Sequence, residues 1–330
     1  MPLSTRVTSI LQVEHPVVQG GMHFVAYAEL SAAVSQAGGL GIITALTQPD
    51  PEALRAEIRK VRSLTDKPFG VNVTLLPTLV PPNYDAYVDV ILQERVPVVE
   101  TAGRNPSKII GRLKQAGVIV IHKCVNVKHA LTAERLGVDI ISMDGYECAG
   151  HPGDDDIPNL VLLPRAAEAL RIPFIASGGI GNGAQLAAVL ALGAEGINMG
   201  TRFMATREAP IKDGIKQTLV DGTELSTTHV MRSLKNTERV YKNPTVEEVQ
   251  RLEAASPGDI NAIRHLVRGE NYRKSFQETG DPSTSVWSAG LVMGLIHDVP
   301  TVKELIDRIV VDAERIIHHR LPALAPQSRL

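Results

Sequence analysis

Eight short β-branched runs alternate with seven amphipathic stretches up to residue 200, and this alternation narrows the possible folds more than any single motif does. The candidate strands cover residues 16–19, 41–45, 69–74, 96–101, 118–124, 138–144, 173–177 and 196–200. Candidate helices lie between them at 27–36, 51–64, 84–93, 106–115, 127–136, 160–170 and 182–192. Most of the strands are near-continuous apolar runs, as expected when both faces of a sheet are covered. Four helices end in similar punctuation before the next strand, at Gly38, Gly117, Gly137 and Gly193. Glycine there can take the left-handed conformation that closes a helix. Strands and helices in this order imply a parallel sheet with right-handed crossovers. Eight strands close an α/β (β/α)8 TIM barrel, whose ligand end is the C-terminal rim of the strands. A doubly wound open sheet is the alternative. It favours G-x-G-x-x-G after the first strand, where this chain has only Gly20-Gly21-Met22-His23.

The pattern changes after Phe203. Residues 209–285 are charged and read as helical with no strand run, which suggests an accessory helical domain. The run WSAGLVMGLI at 287–296 turns apolar again, and an amphipathic stretch follows at 302–318. The expected division is therefore a barrel over 1–208, a helical accessory domain over 209–285, and C-terminal helices over 286–330 that pack back on the barrel.

The 330 residues, 44% apolar and 21% charged, suffice for a full core. A net charge of −2 argues against a nucleic-acid footprint, and 4% aromatic content argues against a base-stacking surface. There is no apolar run of about 18 residues and no signal-peptide h-region, so a membrane span or export is not expected. Cys124 and Cys148 form neither a disulfide framework nor a metal spacing. Together these point to a cytoplasmic protein.

The chemistry concentrates at strand ends. Residues 143–153, MDGYECAGHPG, set Asp144, Glu147 and His151 among small residues after an apolar strand, as suits a loop whose backbone approaches a ligand. Ser177-Gly178-Gly179 and Gly200-Thr201 close the seventh and eighth strands, where barrels often bind phosphate through backbone N–H groups. Gly21 and Met22 after the first strand would let backbone approach a flat ring while the thioether packs on it. The bland reading is a tight turn with a core methionine. Asn72 and Thr74 share one strand face and read as ligand contacts, because buried amides need partners. Pro77 belongs to a stiff, proline-rich loop that is either a lid or a plain connection.

Lys123 ends the apolar fifth strand and must meet an anion or an electron-rich ring. It is either a Schiff-base lysine, as in an aldolase-like lyase, or a cation beside a flavin pyrimidine. His122 faces the other way and reads as a supporting residue. His151 reads as ligand-facing, with a Cys148/His151 nucleophile pair as a minor alternative. Asp154, Asp155 and Asp156 are consecutive, so their side chains point apart, and no metal site is expected.

Gly20-Gly21-Met22, VNVTLLP, HKC, DGYECAGHPGDDDIP, ASGG, NMGTRF and WSAG, in this order from residue 19 to residue 296, resemble the nitronate monooxygenase-like (2-nitropropane dioxygenase-like) FMN barrels. That family commonly reads E-A-G-G-H before its histidine. Here the run is Glu147-Cys148-Ala149-Gly150-His151, and the ECAGHPG form looks more like the NADH:quinone reductases of the family. The resemblance implies a TIM barrel with FMN at its rim. It implies FMN phosphate at Ser177, Gly178, Gly179, Gly200 and Thr201. The ring would lie against Gly21, Met22, Asn72 or Thr74, Lys123 and Ala149. Lys123 would stabilise negative charge on the reduced ring. His151 would orient nicotinamide and hydrogen-bond the quinone, and Pro77 would belong to the gate. The implied activity is hydride transfer from NADH through FMN to a quinone. The alternatives are nitronate oxidation with oxygen and a non-redox lysine-dependent lyase.

Overall fold

In the computed structural model, which describes residues 3–75 and 82–324, eight parallel strands close a barrel in sequence order. They are β1 (Val17–Gln19), β2 (Leu40–Thr44), β3 (Phe69–Leu75), β4 (Val98–Gly103), β5 (Ile119–Cys124), β6 (Ile140–Asp144), β7 (Phe174–Ser177) and β8 (Ile197–Met199). Closure is made by β1, which pairs with both β2 and β8 (Val17 opposite Ile197). An N-terminal helix α1 (Arg6–Leu11) precedes the barrel. The crossovers are α2 (Ala28–Gln36), α3 (Pro51–Leu64), α4 (Tyr84–Gln93), α5 (Ser107–Gln115), α6 (Val127–Arg135), α7 (Asn159–Ala169) and α8 (Gly183–Ala191). The fold is the (β/α)8 barrel expected from the alternation.

Local chemistry explains the elements. In α3, Asp50 accepts from the Ala53 N–H, Pro51 takes the first helical position, and Leu54, Ile58 and Val61 bury one face at helical spacing. Burying each such side chain contributes about 1.5–3 kcal/mol. Gly38, Gly117, Gly137 and Gly193 all have positive φ just after their helices, as the helix-end punctuation implied.

Strand periodicity then divides the barrel interior into two levels. Val18, Leu40, Ile42, Val98, Ile121, Ile140 and Ile175 pack together with Val7 and Leu11 of α1, which plugs the bottom. Two positions further along each strand the inward residue becomes polar: Thr44 after Ile42, Glu100 after Val98, Lys123 after Ile121, Ser142 after Ile140 and Ser177 after Ile175. An apolar floor thus carries a polar upper layer at the C-terminal rim.

Beyond the barrel come α9 (Thr201–Met204) and α10 (Asp213–Asp221), then two strands, β9 (Thr227–Val230) and β10 (Glu238–Tyr241). These strands pair antiparallel, with Glu238 opposite Val230. The expectation of a purely helical segment with no strand run is therefore corrected. The strands are short and carry Thr, His, Glu and Arg, so their own periodicity is faint. They hold because Val230 and Val240 are buried in a small core with Val246, Val249 and Ile263. Helices α11 (Pro244–Ala255), α12 (Ile260–Ile263) and α13 (Gly269–Lys274) follow, and α14 (Val302–Arg315) packs against α8 and α2 of the barrel. No helix among the described residues is long and apolar enough to cross a membrane.

Two stability outcomes follow. A Cβ on Gly41 would overlap the Ser31 carbonyl of α2. Gly41→Ala should therefore cost at least about 1–3 kcal/mol, read as a lower urea midpoint at unchanged m-value. His122 on β5 is buried at 5% exposure, with its Nδ1 2.8 Å from the Thr101 hydroxyl, and burial lowers its pKa to about 4. The unfolded chain takes up this proton first, near pH 6.5, so the contribution is intact above that pH and declines as pH falls towards 4. Urea midpoints between pH 7 and 4 should fall for the wild type and fall less for His122→Gln.

Candidate active site

The upper layer of the barrel is organised around Glu100 of β4, which has no exposed surface. Its Oε1 accepts from the Gly21 N–H at 3.0 Å and from Asn72 Nδ2 at 2.8 Å. Its Oε2 accepts from Asn198 Nδ2 at 2.9 Å. Three strands are thereby tied to one carboxylate. Asn72 Oδ1 in turn accepts from the Thr74 hydroxyl at 2.8 Å, which fixes the amide orientation. The Gly20–Gly21 turn lies directly on these amides, since a Cβ on Gly20 would strike Asn198 and one on Gly21 would strike Asn72. The turn therefore presents backbone to whatever lies above it.

Lys123 of β5 lies in the same layer, with its side chain 23% exposed and its Nζ 3.3 Å from Asp144 Oδ2. Burial alone would lower its pKa, but Asp144 and Glu100 outweigh that and raise it well above the ordinary lysine value. Burial pushes the Asp144 carboxyl up, and Lys123 and Ser177 only partly offset it. The contact with Asp144 thus favours the ammonium form of Lys123. A Schiff-base lysine needs its neutral form, so this geometry argues against the lyase reading.

Around this centre stand glycine-rich loop ends. Gly178 and Gly179 have φ of +93° and +73°. The N–H groups of Gly179, Gly200 and Thr201 meet no acceptor among the described residues. Thr201 Oγ1 accepts from the Gly290 N–H at 3.1 Å, which leaves its own hydrogen to donate. Met22 spans towards this end, since a Cβ on Gly200 would lie 3.4 Å from its sulfur. Gly178 serves packing, because a Cβ there would lie 2.8 Å from Cys148 N. Ser177 carries the Asn159 side-chain amide on its carbonyl at 3.0 Å. Unaccepted N–H groups at one end and a backbone shelf beside a cation at the other fit a flavin mononucleotide. The first would hold the phosphate and the second the ring.

The β6 loop closes the layout. Ala149 N would lie 3.2 Å from a Cβ on Gly290, so this loop packs on the WSAG segment. His151 is half-exposed and makes no hydrogen bond among the described residues. Cys148 is buried and burial pushes its thiol far up, so it is no partner nucleophile. Asp154, Asp155 and Asp156 disperse to Thr237, Asn126 and Arg232. Pro77 lies outside the described residues.

The nitronate monooxygenase family profile matches residues 4–83 and 76–312. The chain belongs to the nitronate monooxygenase family. It is an oxidoreductase of that flavin-dependent family, a class that fits the cradle and the cation. A curated relative in Rhodococcus jostii, (3aS,4S,5R,7aS)-5-hydroxy-7a-methyl-1-oxo-octahydro-1H-indene-4-carboxyl-CoA dehydrogenase, is 34% identical over 94% of this chain and 96% of its own. A probable nitronate monooxygenase of Staphylococcus aureus is 29% identical over 86% of this chain and 90% of its own. Among solved structures, FabK from Thermotoga maritima superposes with a TM-score of 0.89 at 36% identity, covering 97% of this chain and 99% of that one. Nitroalkane oxidase from Streptomyces ansochromogenes superposes with a TM-score of 0.81 at 26% identity, covering 95% and 99%.

Glu100, Asn198 and Arg239 were not singled out from sequence. Glu100 had a readable signal, a carboxylate inside the apolar run 96–101 on the face that Val98 occupies. Arg239 had none, because only the fold brings β10 to the β6 loop.

If the ring lies against Lys123, replacing it with Met would remove a charge-assisted contact of about 1.5–3 kcal/mol from the reduced form. That corresponds to roughly 30–65 mV for a two-electron couple. Dye-equilibrated titration of Lys123→Met should give a flavin potential lower by that amount, with a smaller effect on urea stability. An unchanged potential would remove Lys123 from the ring's surroundings.

Proposed function

We propose that this chain is an FMN-dependent NADH:quinone oxidoreductase. In this reading, NADH binds and leaves before a quinone enters the same site. The observation that carries the reading is Lys123, whose ammonium form Asp144 and Glu100 favour in the polar layer beneath the rim. The ECAGHPG form of the β6 loop supports quinone as acceptor. Bound flavin would supply the two-electron chemistry, taking hydride from nicotinamide and passing it on. The protein's own part is to place fixed charges and donors. Lys123 and the Gly21 backbone face the ring position, preorganised by Glu100, so that little reorganisation is needed when charge develops. His151, half-exposed and without a hydrogen bond among the described residues, is available to orient nicotinamide and to donate to a quinone oxygen.

Nitronate oxidation is the second reading, and the same half-exposed His151 favours it, because a proton-abstracting base must be able to reach substrate. Three acceptors separate the readings after anaerobic reduction with NADH or NADPH: 1,4-benzoquinone, crotonyl-CoA, and oxygen with a nitronate. The crotonyl-CoA arm is included because one relative is named a CoA dehydrogenase. Rapid reduction by NADH and reoxidation by the quinone are expected. Fast nitronate turnover without nicotinamide reduction would replace this reading with the second.

Released cofactor should have the mass of FMN. His151→Ala should retain it stoichiometrically while NADH–benzoquinone turnover falls about tenfold to a thousandfold. Full activity in that variant would remove His151 from the site.

A further inference from the structure

The β-hairpin of the accessory segment reaches the active-site loop through one residue. Arg239 of β10 is 3% exposed although it is an arginine outside the barrel. Its guanidinium donates twice to the Tyr146 carbonyl, at 3.2 Å from Nε and 2.9 Å from Nη2. It donates once to Thr227 Oγ1 at 3.2 Å, and its Cζ lies over the Tyr146 ring, 4.5 Å from the ring centre. Its backbone closes the same contact. Arg239 N–H donates to the Gly150 carbonyl at 2.6 Å, and Gly150 N–H donates to the Arg239 carbonyl at 3.2 Å.

Arg239 thus grips the β6 loop at two points, Tyr146 and Gly150, and His151 follows the second directly. Gly150 holds φ +69°, so the chain turns sharply there into His151. Among the described residues His151 makes no hydrogen bond of its own that would set its position. Its aim is therefore inherited from the backbone before it, and that backbone is held by the hairpin. A buried guanidinium is costly unless its donors are matched; here two of its bonds go to the loop carbonyl of Tyr146 and one to Thr227 of the hairpin itself.

We propose that Arg239 is a positioning residue for His151, so that the hairpin is a working part of the active site and not only a scaffold beside it. The proposal rests on the reading of His151 as the substrate-facing residue. It makes one distinctive demand: Arg239 acts through His151, so its contribution must vanish where His151 is gone.

The experiment is a double-mutant cycle on the flavin-loaded enzyme with NADH and 1,4-benzoquinone, using Arg239→Met, His151→Ala and the pair. Arg239→Met is expected to lower kcat/KM about tenfold to a hundredfold in the wild-type background and less than about twofold in the His151→Ala background. Arg239→Lys keeps the charge but not the fork, so it should fall between the two and serves as the test should the Met variant fold poorly. Amide hydrogen exchange provides a second readout without turnover. Residues 146–151 should exchange faster in Arg239→Met while the barrel strands remain protected. An equal loss in both backgrounds, or unchanged exchange in 146–151, would overturn the proposal while leaving His151 in its role. No effect of His151→Ala alone would instead remove the reading on which it rests.

Discussion

A buried carboxylate organises the rim of this barrel. Glu100 has given up all contact with water, which costs several kcal/mol unless its lone pairs are matched. It is matched by donors from the β1 turn, β3 and β8, with the Lys123 ammonium nearby. Each donor comes from a different strand, so the network can form only when the barrel is closed. The same bonds set two amide orientations and lay the Gly20–Gly21 backbone flat over the polar layer. A shelf made this way is rigid before any ligand arrives.

The site depends equally on what surrounds this layer. The β6 loop is packed from below by Gly178 and Gly179, where a Cβ would strike Cys148 or Glu147. From the side, Leu291 N–H donates to the Glu147 carbonyl, and Gly290 donates to Thr201. From the accessory segment it is held by Arg239. Three parts of the chain distant in sequence therefore converge on one loop. Residues 287–291 also join the hairpin, since Tyr241 N–H donates to the Trp287 carbonyl at 3.0 Å and Ser288 donates to Glu238 at 2.7 Å. Accessory segment, C-terminal segment and barrel rim thus share one hydrogen-bonded surface.

Much of this was legible from residues alone, for identifiable reasons. The strands were visible because both faces of a barrel strand are buried, and the helix ends were visible because glycine alone takes φ near +90° without strain. The glycine loops at the ends of β1, β7 and β8 stood out because their neighbours are strongly apolar. Lys123 stood out because an ammonium at the end of an apolar strand demands a partner. The partner itself was harder to see. Asp144 is one acid among several in its stretch, and Glu100 is marked only by the parity it shares with Val98, which becomes the inner face once the barrel closes.

Sequence by itself determined the barrel, its strand count and the end at which chemistry would gather. These follow from periodicity and punctuation, which are local properties of the chain. Tertiary structure alone decided that Lys123 meets Asp144 at 3.3 Å with Glu100 close by, because those carboxylates come from other strands. It also decided that residues 227–241 form a hairpin and that Arg239 grips the loop carrying His151. Short polar strands have little intrinsic preference, and they become strands only where a partner strand, a small apolar core and a carbonyl in need of a donor are brought to them.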